Sequence, residues 1–103
     1  MQHLKAAISL ALAAGAAFTT PARASEDLAK KHQCLACHQV DKKSVGPAYK
    51  DIAKKYKGQS VAAKLEEKVK KGGSGVWGQV PMAPNATVPD ADIKKLVAWI
   101  VAM

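Results

Sequence analysis

The 103-residue sequence is short of several things at once. It holds two cysteines, Cys34 and Cys37, separated by only two residues, so no disulfide framework can staple distant segments together. Arginine occurs once, as Arg23, and lysine supplies the rest of a basic excess of 16 Lys+Arg over 8 Asp+Glu. Arginine is the preferred fork for phosphate and base edges, whereas lysine is a strongly hydrated point charge. Aromatics are few as well: beyond Phe18 there are only Tyr49, Tyr56, Trp77 and Trp99, and they do not interleave with the scattered lysines. Basic charge without arginine, aromatic interleaving or a recognised motif argues against nucleic acid and for a solvated, long-range electrostatic surface. Period-two alternation is missing, and after Phe18 no apolar run is long enough to cross a membrane.

What is present begins with a three-part leader. Met1 to Lys5 is the positive end, Ala6 to Phe18 is an apolar run, and Ala22-Arg23-Ala24 is a small-residue exit. That layout is a secretory signal peptide, and the run falls short of the ~20 residues a bilayer span needs. Cleavage after Ala24 is expected, dividing the chain into a leader, 1–24, and one exported domain, 25–103, without a membrane span. The domain has 79 residues and, with 14 Lys against 8 acids, a side-chain charge of +6. So short a chain buries a small core and is expected to need a staple or cofactor.

The domain reads as helices joined by loops. Ser25 can cap a first helix, with Glu26 and Asp27 in its first turn. Tyr49, Ile52, Ala53 and Tyr56 follow the i, i+3, i+4, i+7 pattern and Gly58 stops them. Ser60 opens a third helix with Val61, Leu65 and Val69 on one stripe, ended by Gly72-Gly73, with Glu66–Lys70 and Glu67–Lys71 pairs on its outer side. The last helix starts near Pro89-Asp90, and its apolar face is Ile93, Leu96, Val97, Ile100 and Val101. Gly72 to Val88 shows no period, yet carries Val76, Trp77, Val80 and Met82, which something must cover.

The strongest signal is Cys34-Leu35-Ala36-Cys37-His38, the C-x-x-C-H pattern of c-type haem attachment. Residues three apart on a helix share a face, so both thiols can reach neighbouring vinyl groups while His38 is tethered beneath the iron. Three other readings carry less. Zinc would need four ligands from Cys34, Cys37, His32 and His38, crowded together without a second knuckle. A redox dithiol would need a βαβ setting. A Cys34–Cys37 disulfide would close too small a loop to add much.

A second axial ligand must come from what remains. His32 lies on the proximal side and is expected to be an exposed helix residue, and Met103 sits at the end of a helix packed elsewhere. Met82, in Pro81-Met82-Ala83-Pro84, is stiffened by two prolines and is far enough along the chain to close the haem from the opposite face. His/Met is the pairing of cytochromes c.

Taken with Val45-Gly46-Pro47-Ala48-Tyr49-Lys50 and Gly75-Val76-Trp77-Gly78-Gln79-Val80-Pro81-Met82, the attachment motif makes residues 25–103 resemble the small bacterial class I cytochromes c. These are periplasmic monohaem carriers that donate to nitrite reductases and terminal oxidases. The resemblance implies an all-α fold of four helices wrapped around one covalently attached haem c. The helix after Ser25 would cross the terminal helix bearing Trp99, with Ala29 thinning that contact. It implies Cys34 and Cys37 as thioether sites, and His38 and Met82 as axial ligands. The Pro47 carbonyl would accept the His38 Nδ1–H, the Trp77 indole would bind a propionate, and Asn85 would lie near the Met82 sulfur and a propionate. It also implies a monomeric, non-enzymatic electron carrier of the periplasm, between a membrane-bound donor and a nitrite reductase or oxidase as acceptor, and the basic charge adds the expectation that these partners are acidic where they dock. Lys42, Lys43 and Lys50 are candidate contributors to that meeting. The alternative is a haem enzyme or gas-binding module with a labile sixth ligand. Gas-binding bundles place the motif near the C-terminus and the related peroxidases carry two motifs, and this chain does neither.

Overall fold

The structure, a computed structural model, describes residues 20–103. The positive end and apolar run expected of a leader lie outside the described residues. Four α-helices follow in order: α1 (Pro21–Lys31), α2 (Tyr49–Tyr56), α3 (Ala62–Lys71) and α4 (Asp90–Val101). A single 3₁₀ turn, Cys34–Ala36, follows α1, and two short strands, β1 (Gly73–Gly75) and β2 (Gly78–Met82), separate α3 from α4.

The first helix starts earlier than Ser25. Thr20 is its N-cap, its Oγ1 accepting from the Arg23 N–H at 3.3 Å, and Pro21 occupies the first turn. A hydroxyl cap followed by proline is a complete start signal, because proline's missing N–H is an orphan there anyway. With these residues present Ser25 is an interior, buried helix residue rather than a cap. At the other end Lys30 and Lys31 lie in the last turn, where positive charge suits the helix dipole. Gln33 then adopts φ 60°, a left-handed turn that swings the chain out of α1 and into the 3₁₀ turn.

The third helix opens one residue after Val61, which stands at its N-cap position without a side-chain cap. Of the two outer pairs expected on it, Glu67–Lys71 forms at 3.0 Å. Lys70 instead reaches the first turn of α4 and bonds Asp90. The bond pulls the exposed Asp90 carboxyl below its ordinary 3.8, chiefly through the Lys70 hydrogen bond and then its charge.

Gly72 to Val88 is not the structureless loop its composition suggests. Its first half is an antiparallel hairpin pairing Gly73 with Met82 and Gly75 with Gly78, with an irregularity between. Gly72, at φ 71°, makes the entry: a Cβ there would overlap the Met82 carbonyl oxygen, so only glycine lets the two backbones approach this closely.

The other three helices, α1, α2 and α3, all pack on α4. Ile93, Leu96, Val97 and Ile100 are buried along its face, as the period predicts. Val88, Ile93 and Val97 form the central cluster, with Leu65, Val69 and Val101 against it. Ala29 of α1 is fully buried, so the small residue there makes a close approach rather than a gap.

Candidate functional site

The site grows out of the segment after α1. Cys34 and Cys37 bracket the 3₁₀ turn, with the Cys37 and His38 N–H groups both donating to the Cys34 carbonyl, at 3.2 and 3.0 Å. This tight turn, not an α-helix, brings the cysteines together. Among the described residues no group of three or more His, Cys, Asp or Glu side chains converges on a metal position, which leaves the zinc reading without support.

His38 is buried and held from several directions. The chain folds back so that the Gly46 N–H donates to the Cys37 carbonyl at 2.7 Å and the Tyr49 N–H to the Gln39 carbonyl at 2.9 Å. That return places the Pro47 carbonyl oxygen 2.7 Å from His38 Nδ1. A carbonyl can only accept, so Nδ1 carries a proton and, in the neutral imidazole, Nε2 keeps its lone pair. Gly46 lies hard against the same ring: a Cβ there would stand 2.7 Å from Cε1. The Tyr49 ring stacks on the imidazole at 5.1 Å between centroids and 18° between planes. Trp99 of α4 meets Tyr49 edge-on, at 5.5 Å and 72°. Burial pushes the Cys34 thiol up, and the hydroxyl of Tyr49 beside it partly offsets this. Burial likewise drives the Tyr49 phenol well above its ordinary range, with the charge of Cys34 adding to it.

The remaining sequence-predicted residues sit on the other long connection. Met82 ends β2, half-buried, its backbone pinned between Gly72 and Gly73. Asn85 ties this stretch to the end of α3: its Nδ2 donates to the Val69 carbonyl at 3.1 Å and the Ala83 carbonyl at 3.3 Å. Trp77 occupies the hairpin turn, with Lys55 Nζ 5.5 Å over its ring. The polypeptide itself leaves Val76, Trp77 and Val80 49%, 41% and 65% exposed. An apolar hairpin face of that kind asks for a partner surface. Sequence reasoning passed over Gly46, although Gly-Pro before a helix marks a tight return. Tyr49 was taken only as part of an apolar stripe. His32 was misplaced: it is not exposed, and its Nε2 lies 3.0 Å from Asp92 Oδ2, joining the end of α1 to the start of α4.

Known proteins share this fold. The cytochrome c family profile matches residues 22–103. The chain is 58% identical to cytochrome c-552 of Nitrosomonas europaea, over 80% of this chain and 81% of that one. It is 57% identical to cytochrome c-551 of Allochromatium vinosum, over 74% and 82% of the two chains. The crystal structure of Nitrosomonas europaea cytochrome c552 superposes with a TM-score of 0.71, covering 74% of this chain and 95% of the other. A buried imidazole with one free lone pair, two neighbouring thiols and an apolar hairpin are thus arranged in a chain that belongs to the cytochrome c family. Within it the protein is a small class I cytochrome c, a monohaem electron carrier and not an enzyme. One covalently attached haem c goes with that membership. The residues fit the group: the tautomer enforced by Pro47 is the one an iron-binding imidazole requires.

Proposed function

We propose that this protein is a periplasmic carrier that passes single electrons between respiratory redox proteins through a His/Met-ligated haem. Cys34 and Cys37 would hold the haem by thioethers, and His38 Nε2 and Met82 Sδ would bind its iron. Bound haem supplies the one-electron couple. The chain's own residues do the rest. Pro47 keeps the proton on Nδ1, Gly46 leaves the ring its space, and Gly72 with the hairpin fixes where Met82 is presented. Trp77 would meet the propionate side, Asn85, whose two Nδ2 hydrogens go to the Val69 and Ala83 carbonyls, would hold the Met82 stretch beside the haem, and Val76 and Val80 would lose their exposure to water. The observation that carries this reading is the 2.7 Å approach of His38 Nδ1 to the Pro47 carbonyl, which aims a free Nε2 lone pair away from the loop. Two protein axial ligands would leave no coordination position for substrate, and neither need move on electron gain. The leader is proposed to be cut after Ala24, which removes Thr20 and the first turn of α1 and leaves Ser25 as the first residue.

Purified protein tests all of this together. Intact mass should equal residues 25–103 plus one haem, and the ferric spectrum should show the weak near-infrared sulfur-to-iron band. Met82→Ala should abolish that band, lower the reduction potential and admit carbon monoxide. A band that survives Met82→Ala would remove Met82 as the ligand, and a mass without the haem increment would remove the attachment.

A further inference from the structure

The aromatic chain running from His38 to α4 has no part in attachment or ligation as proposed, yet its geometry is too specific for general packing. Tyr49 is the first residue of α2 and 3% exposed. Its ring is nearly parallel to the imidazole, and its outer edge is backed by Trp99. The Nδ1 hydrogen bond fixes the place of one ring atom, but small compensating changes in χ1 and χ2 can still tilt the ring plane about it. A ring stacked on its face resists that tilt.

We propose that Tyr49 is the positioning residue for the His38 imidazole plane, and that Trp99 braces Tyr49 so that the seating of α4 sets the orientation of the ring. The proposal rests on His38 being an axial ligand. Orientation of the axial imidazole, together with that of the methionine sulfur, sets how unpaired spin is spread over the haem edge in the ferric state, so this is a role in electronics and not only in packing. Tyr49→Phe removes the hydroxyl and keeps the ring, so the stack can be tested apart from the hydroxyl.

The test uses ferric holoprotein and proton NMR of the hyperfine-shifted haem methyl and His38 ring resonances, alongside reduction potential and unfolding midpoint. Wild-type protein should show the shifted ring resonances of His38; if it does not, the ligand reading fails, independently of Tyr49. Tyr49→Phe keeps the stack and should keep the wild-type methyl pattern. Tyr49→Leu removes the stack and should rearrange the methyl pattern. Trp99→Leu leaves the His38 contact in place, removes the brace, and should shift the pattern in the same sense by less. If Tyr49→Leu yields no holoprotein, Trp99→Leu decides alone. A wild-type methyl pattern in Tyr49→Leu or Trp99→Leu, with only the unfolding midpoint lowered, would overturn the proposal. Equal displacement in Tyr49→Phe and Tyr49→Leu would also overturn it, because the hydroxyl and not the ring would then be responsible.

Discussion

His38 shows how little freedom a ligand residue has once its neighbours are in place. Its Nδ1 bond to Pro47 selects the tautomer, and a charge-neutral bond of this kind contributes about 0.5–1.5 kcal/mol net. The bond's larger effect is chemical, since it decides which nitrogen remains basic. Gly46 supplies the space that makes the bond possible. Gly46→Ala would put a Cβ 2.7 Å from Cε1 and 3.0 Å from Nδ1, closer than carbon atoms pack. The ring or the loop must yield, and the yielding lengthens the Pro47 bond. Overpacking of this kind costs about 1–3 kcal/mol. Gly46→Ala should therefore lower stability by about that amount in denaturant titration and also shift the reduction potential. A variant as stable as wild type, with its potential unmoved, would show that the loop gives way without disturbing the ring.

Among the elements, α4 is the hub, and two side-chain ties fasten its first turn to other helices. His32 at the end of α1 meets Asp92, with side-chain exposures of 14% and 19%. Shielding of that degree makes the contact worth more than a surface pair, and hydrogen bonds to charged groups contribute about 1.5–3 kcal/mol. A double-mutant cycle of His32→Ala and Asp92→Ala, read by urea unfolding, should return a coupling of about 1 kcal/mol or more; additive losses would mean the two merely sit side by side. Lys70 from α3 bonds Asp90 on the same turn, but in open solvent. Because the Asp90 carboxyl is held below its ordinary 3.8, the tie contributes stability at pH values above 3.8 and loses it as pH falls through the lower folded value. Lys70→Met should return the Asp90 carboxyl toward 3.8 in a carbon-13 NMR titration, and an unmoved midpoint would assign the depression elsewhere. Neither tie was legible in the sequence, since Glu66 looked the nearer partner for Lys70 and sixty residues separate His32 from Asp92. The stripes of α2, α3 and α4 were legible because burial repeats with the helical period, as Ile93, Leu96, Val97 and Ile100 show. The hairpin was not, because Gly73, Gly75 and Gly78 carry no side-chain alternation and Pro81 argues against a strand. The attachment segment was legible as chemistry and misread as geometry, a 3₁₀ turn entered through a left-handed Gln33 in place of a helix. Tyr49 was hidden for a third reason, since an apolar stripe looks the same whether it packs on a helix or on a ligand.

At the scale of the whole molecule the basic excess is the property with the longest reach. Residues 25–103 carry 14 Lys and 8 acids, and several lysines are already committed within the fold. Lys30 pairs with Glu26, Lys71 with Glu67, Lys70 with Asp90 and Lys50 with Asp41. Each such pair is a small dipole whose field dies within a few ångströms, so these four lysines add little to steering. Lys42 and Lys43 differ: both are exposed, on the loop between His38 and Gly46, and among the described residues neither is in an ion pair. They lie on the same return that seats the imidazole, so positive charge is presented next to the proposed proximal side. A carrier must release its partner quickly, which calls for a small contact, below about 1,200 Å² of buried surface, and for charges that speed encounter more than they hold. The second-order rate of electron transfer to an anionic redox protein, measured by stopped flow, should fall as ionic strength rises, because the Debye length shrinks to about 8 Å at physiological salt. The Lys42→Gln/Lys43→Gln double variant should lose a large part of that dependence at low salt and converge on wild type at high salt. Lys50→Gln combined with Asp41→Asn should lose much less, since it removes a pair that carries no net charge. A rate indifferent to salt would remove steering, leaving the lysines to keep the protein soluble. Equal losses from the Lys42/Lys43 variant and from the Lys50/Asp41 variant would place the steering field outside the 42–43 loop.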